Sequence, residues 1–502
     1  MKRSNSSTGS SKAVRSHKRI RSVHLHSTLN KNYNIINSQD DYKHMYISAK
    51  PLDIFVWGTG SMCELGLGPS HKNKEVKRPR LNPFLQKNIN ANDDKAGGKV
   101  PFIVSFCCGG MHTIALTDDN KVLTWGTNDA GALGRDTSDA KEQLKDMDED
   151  NSDDDDDGDL NDLESTPMEV EGLPSDTKIV QVIATDNFSC VLYETGDIFC
   201  WGTFRCNEGI LGLYKDEIKI QTKPWKLPLA FTRGKKIVQL APGKDHVLFL
   251  DECGIVYAWG NGQQYQLGRK VLERFRLKTL DPRPFGLDNV KYISSGENHS
   301  FALDKNGDLY AWGLNQFGQC GVSKEVEDGA LITVPTKVLL PEDAGKVSMV
   351  AAGEHHSLVL MENGDLYVFG RIDMFEVGLD IKSDKVPKEN LYEDVHGKIR
   401  AVPVPTKMPN VKPFKYVASG SHHSLAITTD GVVFSWGFGE TYAVGLGPSG
   451  DDIEIPTRIK NTATKDHDII FVSGGGQFSC SGGIKLSDEK AEEREKAYED
   501  ED

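Results

Sequence analysis

The stretch from Ser295 to Gly313 reads Ser-Gly-Glu-Asn-His-Ser-Phe-Ala-Leu-Asp-Lys-Asn-Gly-Asp-Leu-Tyr-Ala-Trp-Gly. Lys305-Asn306-Gly307 has the chemistry of a tight turn, because Asn-Gly tolerates positive φ. It separates two strand-like runs, His299–Leu303 and Leu309–Gly313. Lys291–Ser295 alternates as a strand ahead of them, and Thr333–Leu339 supplies a fourth after a glycine-rich loop. One such unit is a four-stranded antiparallel meander, too small to bury its own faces.

The unit repeats. Trp-Gly recurs at Trp57, Trp125, Trp201, Trp259, Trp312 and Trp436, and Phe369-Gly370 fills the remaining gap, giving seven anchors. Thirteen residues before six of them stand His112, Phe188, His246, His299, His356 and His423. Five residues before each of the same six stands a turn residue: Asn120, Gly196, Gly254, Gly307, Gly364 or Gly431. Anchor spacing varies from 53 to 76 residues, as expected when insertions fall in loops and the strand core is fixed. Seven four-stranded sheets in sequence predict an all-β, seven-bladed propeller. Gly475-Gly476-Gln477-Phe478-Ser479 is a first half-unit without a Trp-Gly after it, and Asp53–Gly58 is a second half-unit without a first. The two halves are expected to share one blade, which closes the ring and removes two free sheet edges.

Forty-nine glycines fit a turn-rich repeat protein. No apolar run is long enough to span a membrane, and there is no apolar signal core, so no membrane partner is expected. Nine cysteines without paired CxxC spacing read as reduced thiols. The net charge of −15 divides unevenly. Residues before Asp40 carry eight Lys/Arg and no acid, residues 146–164 carry twelve acids and no base, and residues 488–502 carry nine acids and three bases. The expected organisation is a disordered basic tail over 1–45, the propeller over 46–487 with an acidic insertion at 146–164, and an acidic tail over 488–502. No nucleophile–base spacing, P-loop, metal cluster or dinucleotide fingerprint is present, which argues against a hydrolytic enzyme and against a metal or cofactor.

The repeat breaks once. After most anchors an apolar-Gly pair follows at eight residues, but after Trp201 it comes at ten, at Leu211-Gly212. The segment reads Arg205-Cys206-Asn207-Glu208-Gly209-Ile210, flanked by Leu211, Leu213 and Tyr214. Two readings stand: a loop of drifted length folded back on its blade, or an apolar projecting hairpin that a partner must cover. The recurring histidines His112, His246, His299, His356 and His423 and the six tryptophans read as structural, because a repeated residue serves a packing role. The variable residues of the Gly-x-x-His turns differ. Asp186-Asn187, Lys244-Asp245, Glu297-Asn298, Glu354-His355 and Ser421-His422 should line one polar face near the axis, as a solvated rim or as a working surface.

Gly-x-x-His-Ser, then Trp-Gly thirteen residues after the His, then Leu-Gly, resembles the regulator of chromosome condensation family over residues 45–487. Segments Asp40–Leu52, Gly58–Gly68, Thr203–Gly212, Arg269–Phe285 and Trp436–Gly447 bring it near the fungal exchange factors of that family. The resemblance implies a guanine-nucleotide exchange factor for a Ran-type GTPase, bound to chromatin in the nucleus and supporting nucleocytoplasmic transport and the cell cycle. It implies that Arg205, Cys206, Asn207, Glu208, Gly209 and Ile210 form a wedge near the GTPase's phosphate site. It also implies that Asp186, Asp245 and His355 match family residues important for exchange. A further family His falls at Phe478, so that member of the set is missing here. Arg274 and Arg276 match a loop that contacts histones, and the basic tail with Lys18, Arg19 and Arg21 matches a segment for the nuclear import receptor and for DNA phosphates without sequence specificity. A scaffold or chromatin-binding propeller without exchange activity is the alternative.

Overall fold

A computed structural model describes residues 34–85, 102–138, 159–322, 326, 330–409 and 411–499. The described residues from Ile35 onward form one unit whose strands fall into seven sheets around an axis, plus a separate two-stranded hairpin. Numbered from Ile103–Cys108, blades one to six run inward to outward along the chain, except that blade five adds a short fifth strand, Tyr392–Glu393, which precedes Ile399–Lys407 but pairs on its outer edge. The quoted unit is blade four: Val290–Ser295, His299–Asp304, Leu309–Leu314 and Leu331–Lys337. Its outer strand begins two residues earlier than expected. Blade seven is the shared one. Asp53–Thr59 pairs antiparallel with Phe478–Lys485, with Trp57 opposite Ser479 and Gly58 opposite Phe478.

Adjacent blades are joined by a repeated polar relay. His246 Nε2 lies 2.9 Å from Ser300 Oγ on the next blade. Ser300 Oγ donates back to Gln266 O at 3.1 Å, and Trp312 Nε1 donates to the same carbonyl at 2.9 Å. The hydroxyl proton is thus used, so the imidazole must donate from Nε2. The same His–Ser contact recurs at His112–Ser189, His299–Ser357, His356–Ser424 and His423–Ser479, at 2.7–2.9 Å. Trp57, Trp201 and Trp436 likewise donate to Ala443 O, Ala132 O and Glu376 O, and Trp125 to Glu64 O. Glycine is required three residues before each imidazole, since at Gly296 a Cβ would come within 2.5 Å of His299 Cε1. The relay explains why the His and Trp of each unit recur together: each needs the next blade to satisfy it when buried.

The relay is replaced at two joints. Phe188 takes the His position in blade two and faces Trp259 edge-on at 5.4 Å, with Phe204 at 4.9 Å, and blade three has Val247 in place of Ser. Phe478 does the same in blade seven, and it is fully buried. Phe478 is therefore a core residue at the repeat's imidazole position and does not face the polar rim.

Both expected tail boundaries shift. Residue 45 falls inside the helix Asp40–Tyr46. Asn37 Nδ2 donates to Val290 O, Gln39 Nε2 to Tyr193 O and Ile237 O, and Tyr42 Oη to Lys291 O. This segment belongs with the propeller because it satisfies carbonyls at strand ends of blades two, three and four. Likewise Asp488–Glu499 is a helix docked on blades six and seven. Arg494 Nη1 donates to Asp430 O and His467 O, and buried Tyr498 lies between Lys412 and Arg458. Most of the acidic insertion, and Lys18, Arg19 and Arg21, lie outside the described residues. Among the described residues no helix is long and apolar enough to cross a membrane.

Candidate functional site

The inner turns of all seven blades, ending in His in five of them and in Phe188 and Phe478 in the other two, meet around the axis. Each passes one backbone hydrogen bond to the next: Gly110 N to Thr185 O, Asp186 N to Lys244 O, Lys244 N to Glu297 O, Glu297 N to Gly353 O, Glu354 N to Ser421 O, Ser421 N to Gly475 O and Gly476 N to Gly110 O, all at 3.0–3.3 Å. This closed ring fixes the backbone of the turn residues. Their side chains are consequently displayed on a rigid platform.

The platform is charged, as expected from the turn sequences. Lys244 Nζ sits 3.6 Å from Asp186 and 3.0 Å from Glu297. Burial, then the neighbouring Glu297, pushes the Asp186 carboxyl up to about 7, against the pull of Lys244. Burial pushes Asp245 up to about 6, opposed by the Arg205 backbone N–H and by Lys244. His355 lies across the rim. Gln316 Nε2 is 2.7 Å from His355 Nε2, and an amide nitrogen can only donate, so Nδ1 keeps its proton and faces Glu354 Oε2 at 3.4 Å. His422 Nε2 approaches the same Glu354 oxygen at 3.2 Å, while Arg371 donates to His422 Nδ1 at 3.1 Å. Burial alone would raise Glu354, but the two imidazoles and Lys244 outweigh it and hold that carboxyl down to about 2. Asp186 and Asp245 are thus brought near each other through Lys244, and His355 sits in a separate polar group with Glu354, His422 and Arg371.

The extra residues after Trp201 form a true hairpin. Phe204–Cys206 pairs with Gly209–Gly212, and Asn207-Glu208 makes the turn. Its base is pinned by Phe204, which is buried against Phe188 and Trp259. Of the apolar flanks only Ile210 projects, 52% exposed; Leu211, Leu213 and Tyr214 are buried. The expected apolar hairpin is therefore apolar at its foot and polar at its tip, with one exposed isoleucine. Its stem reaches the charged platform, where Arg205 N donates to Asp245 Oδ1 at 2.7 Å.

Of the two arginines expected to meet histones, Arg274 is exposed and stacks over Phe275 at 4.8 Å. Arg276 is engaged within the molecule: it lies 2.7 Å from Glu273 and 3.4 Å from Glu208 of the hairpin. Sequence reasoning passed over Gln263, Gln316 and Arg371, which bond to the hairpin or to the rim, and Glu376, which holds Arg371. Their positions shortly after an anchor, on the loops of the same face, were the available signal.

A family model described as the RCC1-like domain matches residues 53–481. The guanine nucleotide exchange factor SRM1 of Saccharomyces cerevisiae is 64% identical to this chain, over 92% of this chain and 93% of its own length. The crystal structure of Prp20p from the same yeast, described with its binding to Gsp1p and histones, superposes with a TM-score of 0.84 at 61% identity and covers 93% of this chain and 99% of its own. A yeast RCC1 (Prp20) structure bound to Kap60 gives a TM-score of 0.84 at 60% identity over 96% and 100% of the two chains. With the closed seven-blade ring, the relay and these matches together, the chain belongs to the RCC1-like family, the regulators of chromosome condensation.

Proposed function

We propose that this protein is a guanine-nucleotide exchange factor for a Ran-type GTPase, working on chromatin in the nucleus. One observation carries the reading: the single break in the anchor-to-apolar-Gly spacing is a hairpin that rises beside the charged axial platform and is bonded to Asp245. A propeller that served only as a scaffold would have no need of it.

Exchange requires no covalent step from this chain. It requires that the factor bind the nucleotide-free GTPase better than the nucleotide-bound one, and linkage then weakens nucleotide by the same ratio. Arg205, Cys206, Asn207, Glu208, Gly209 and Ile210 supply that difference by taking space the nucleotide's phosphates and their magnesium need. The Glu208 carboxylate is held below its usual range by Cys206, Gln263 and Arg276, so it stays an anion and opposes phosphate. Asp186, Asp245, His355 and Glu354 offer a rigid acidic surface for a basic face of the GTPase. The direction of exchange is set by nucleotide supply and not by the factor. Arg274 and the basic tail with Lys18, Arg19 and Arg21 supply contacts to histones, DNA phosphates and an import receptor, and these contacts should weaken with salt.

Deleting Glu208–Ile210 tests the reading. Release of fluorescent GDP, followed by stopped flow, should fall to the uncatalysed rate while the circular dichroism spectrum and unfolding midpoint stay unchanged. A deletion variant that still exchanges rapidly overturns the wedge assignment.

A further inference from the structure

A two-residue turn on a short ladder does not hold a direction by itself, because an isolated hairpin is marginal in water. The hairpin has three ladder partners, with an irregularity after the first. An open space of about 290 Å³ separates the hairpin residues Cys206 and Leu211 from Asn261, Gln263, Val271 and Arg276 of the following blade and its loop.

Polar groups of the following blade do reach the tip. Asn207 N donates to Gln263 Oε1 at 3.0 Å. Gln263 Nε2 donates in turn to both carboxylate oxygens of Glu208, at 3.1 and 3.2 Å. Gln263 is itself set by its backbone N–H, which donates to Asn261 Oδ1 at 2.9 Å. Arg276, from the 3₁₀ helix Glu273–Leu280, places Nη1 3.4 Å from Glu208 Oε2 and is steadied by Glu273 at 2.7 Å. One amide thus grips the turn at two consecutive residues, once by accepting and once by donating, and a guanidinium closes on the same carboxylate.

We propose that Gln263 and Arg276 are positioning residues for exchange: they hold the hairpin tip in its projecting conformation, so that the GTPase meets a wedge already ordered. The inference rests on the exchange reading given above. Without the brace, the turn must be ordered during the displacement of nucleotide, and ordering costs are charged against that step. The effect should fall on kcat, because the docking platform around Asp186 and His355 is untouched. Arg276 is therefore engaged by the hairpin in the free protein, while Arg274 remains available to chromatin.

The test uses the full-length protein and a Ran-type GTPase loaded with fluorescent GDP. Gln263→Ala should lower kcat on the order of tenfold, leave KM within about twofold and leave the unfolding midpoint unchanged, as preorganisation of an exposed loop implies. Gln263→Glu should be at least as poor, because it places two carboxylates together. Arg276→Ala, which leaves both Gln263 bonds to the turn in place, should lower kcat by a smaller factor, again with KM within about twofold. A Gln263→Ala protein with wild-type kcat overturns the proposal, and so does one whose loss falls on KM with kcat unchanged. If the wild-type protein itself shows no exchange, the functional reading fails instead, and the two failures are distinct.

Discussion

Replacing His246 by Phe together with Ser300 by Val copies, at one joint, the arrangement that Phe188 and Val247 already make at another. The perturbation removes one buried imidazole and its hydroxyl partner, and Gln266 O keeps the Trp312 donor. Burial pushes the His246 imidazole from its ordinary 6.5 down to about 3. Because the folded value is depressed for a base, the native state holds the ring neutral. Its contribution is intact above about pH 6.5 and is lost as pH falls toward 3, where the unfolded chain takes up a proton that the native one refuses. Between pH 7 and pH 5 that loss is roughly 2 kcal/mol for one histidine. Asp186 and Glu64, pushed up to about 7, and Asp245, pushed up to about 6, work in the opposite direction. They are common to both proteins, so they cancel in the comparison. Urea unfolding followed by tryptophan fluorescence at the two pH values measures the quantity. The wild type should lose about 2 kcal/mol more than the double variant on going from pH 7 to pH 5. Equal losses would refute the claim that His246 is buried and neutral, and with it the account of the relay as a set of proton-donating imidazoles.

Other outcomes follow from the same geometry. Asp186 and Asp245 ionise between about pH 6 and 7, so exchange should rise with pH across that window; Asp186→Asn should remove the upper step from the kcat/KM profile, and an unaltered profile would count against its role. Phe188→His alone buries an imidazole opposite Val247 with no partner and should cost about 2 kcal/mol, whereas adding Val247→Ser should restore part of the melting temperature. Tyr498→Ala empties the cleft between Lys412 and Arg458 and removes the bond to Asp430 Oδ1; a loss of about 3 kcal/mol in urea unfolding is expected, with exchange unchanged.

Much of the site was legible as departures from a pattern. The ten-residue gap after Trp201 marked the hairpin because every comparable gap is eight, and the Gly-x-x-His turns marked the platform because their two middle residues vary far more than their ends. Gln263 and Arg276 were not legible in that way. They are distant in sequence from Glu208, and only the juxtaposition of blades two and three brings an amide and a guanidinium to it. Arg276 in particular stands in a basic loop that reads as free surface until its carboxylate partners are seen. The tail boundaries were missed for a related reason. Asn37, Gln39 and Tyr42 look like polar linker residues, and Tyr498 looks like a lone aromatic in an acidic run. Each is tied down by groups on remote strands.

The sequence by itself determined the number of blades, their strand order, the closure of the ring by the two ends and the place where the repeat is interrupted. Those follow from local periodicity and turn chemistry, which each unit states afresh. Tertiary structure alone decided which side chains cross from one blade to the next, which carboxyls are pushed toward neutrality and which way the hairpin points. Those depend on burial and on contacts between residues far apart in the chain, and no local pattern encodes such distances.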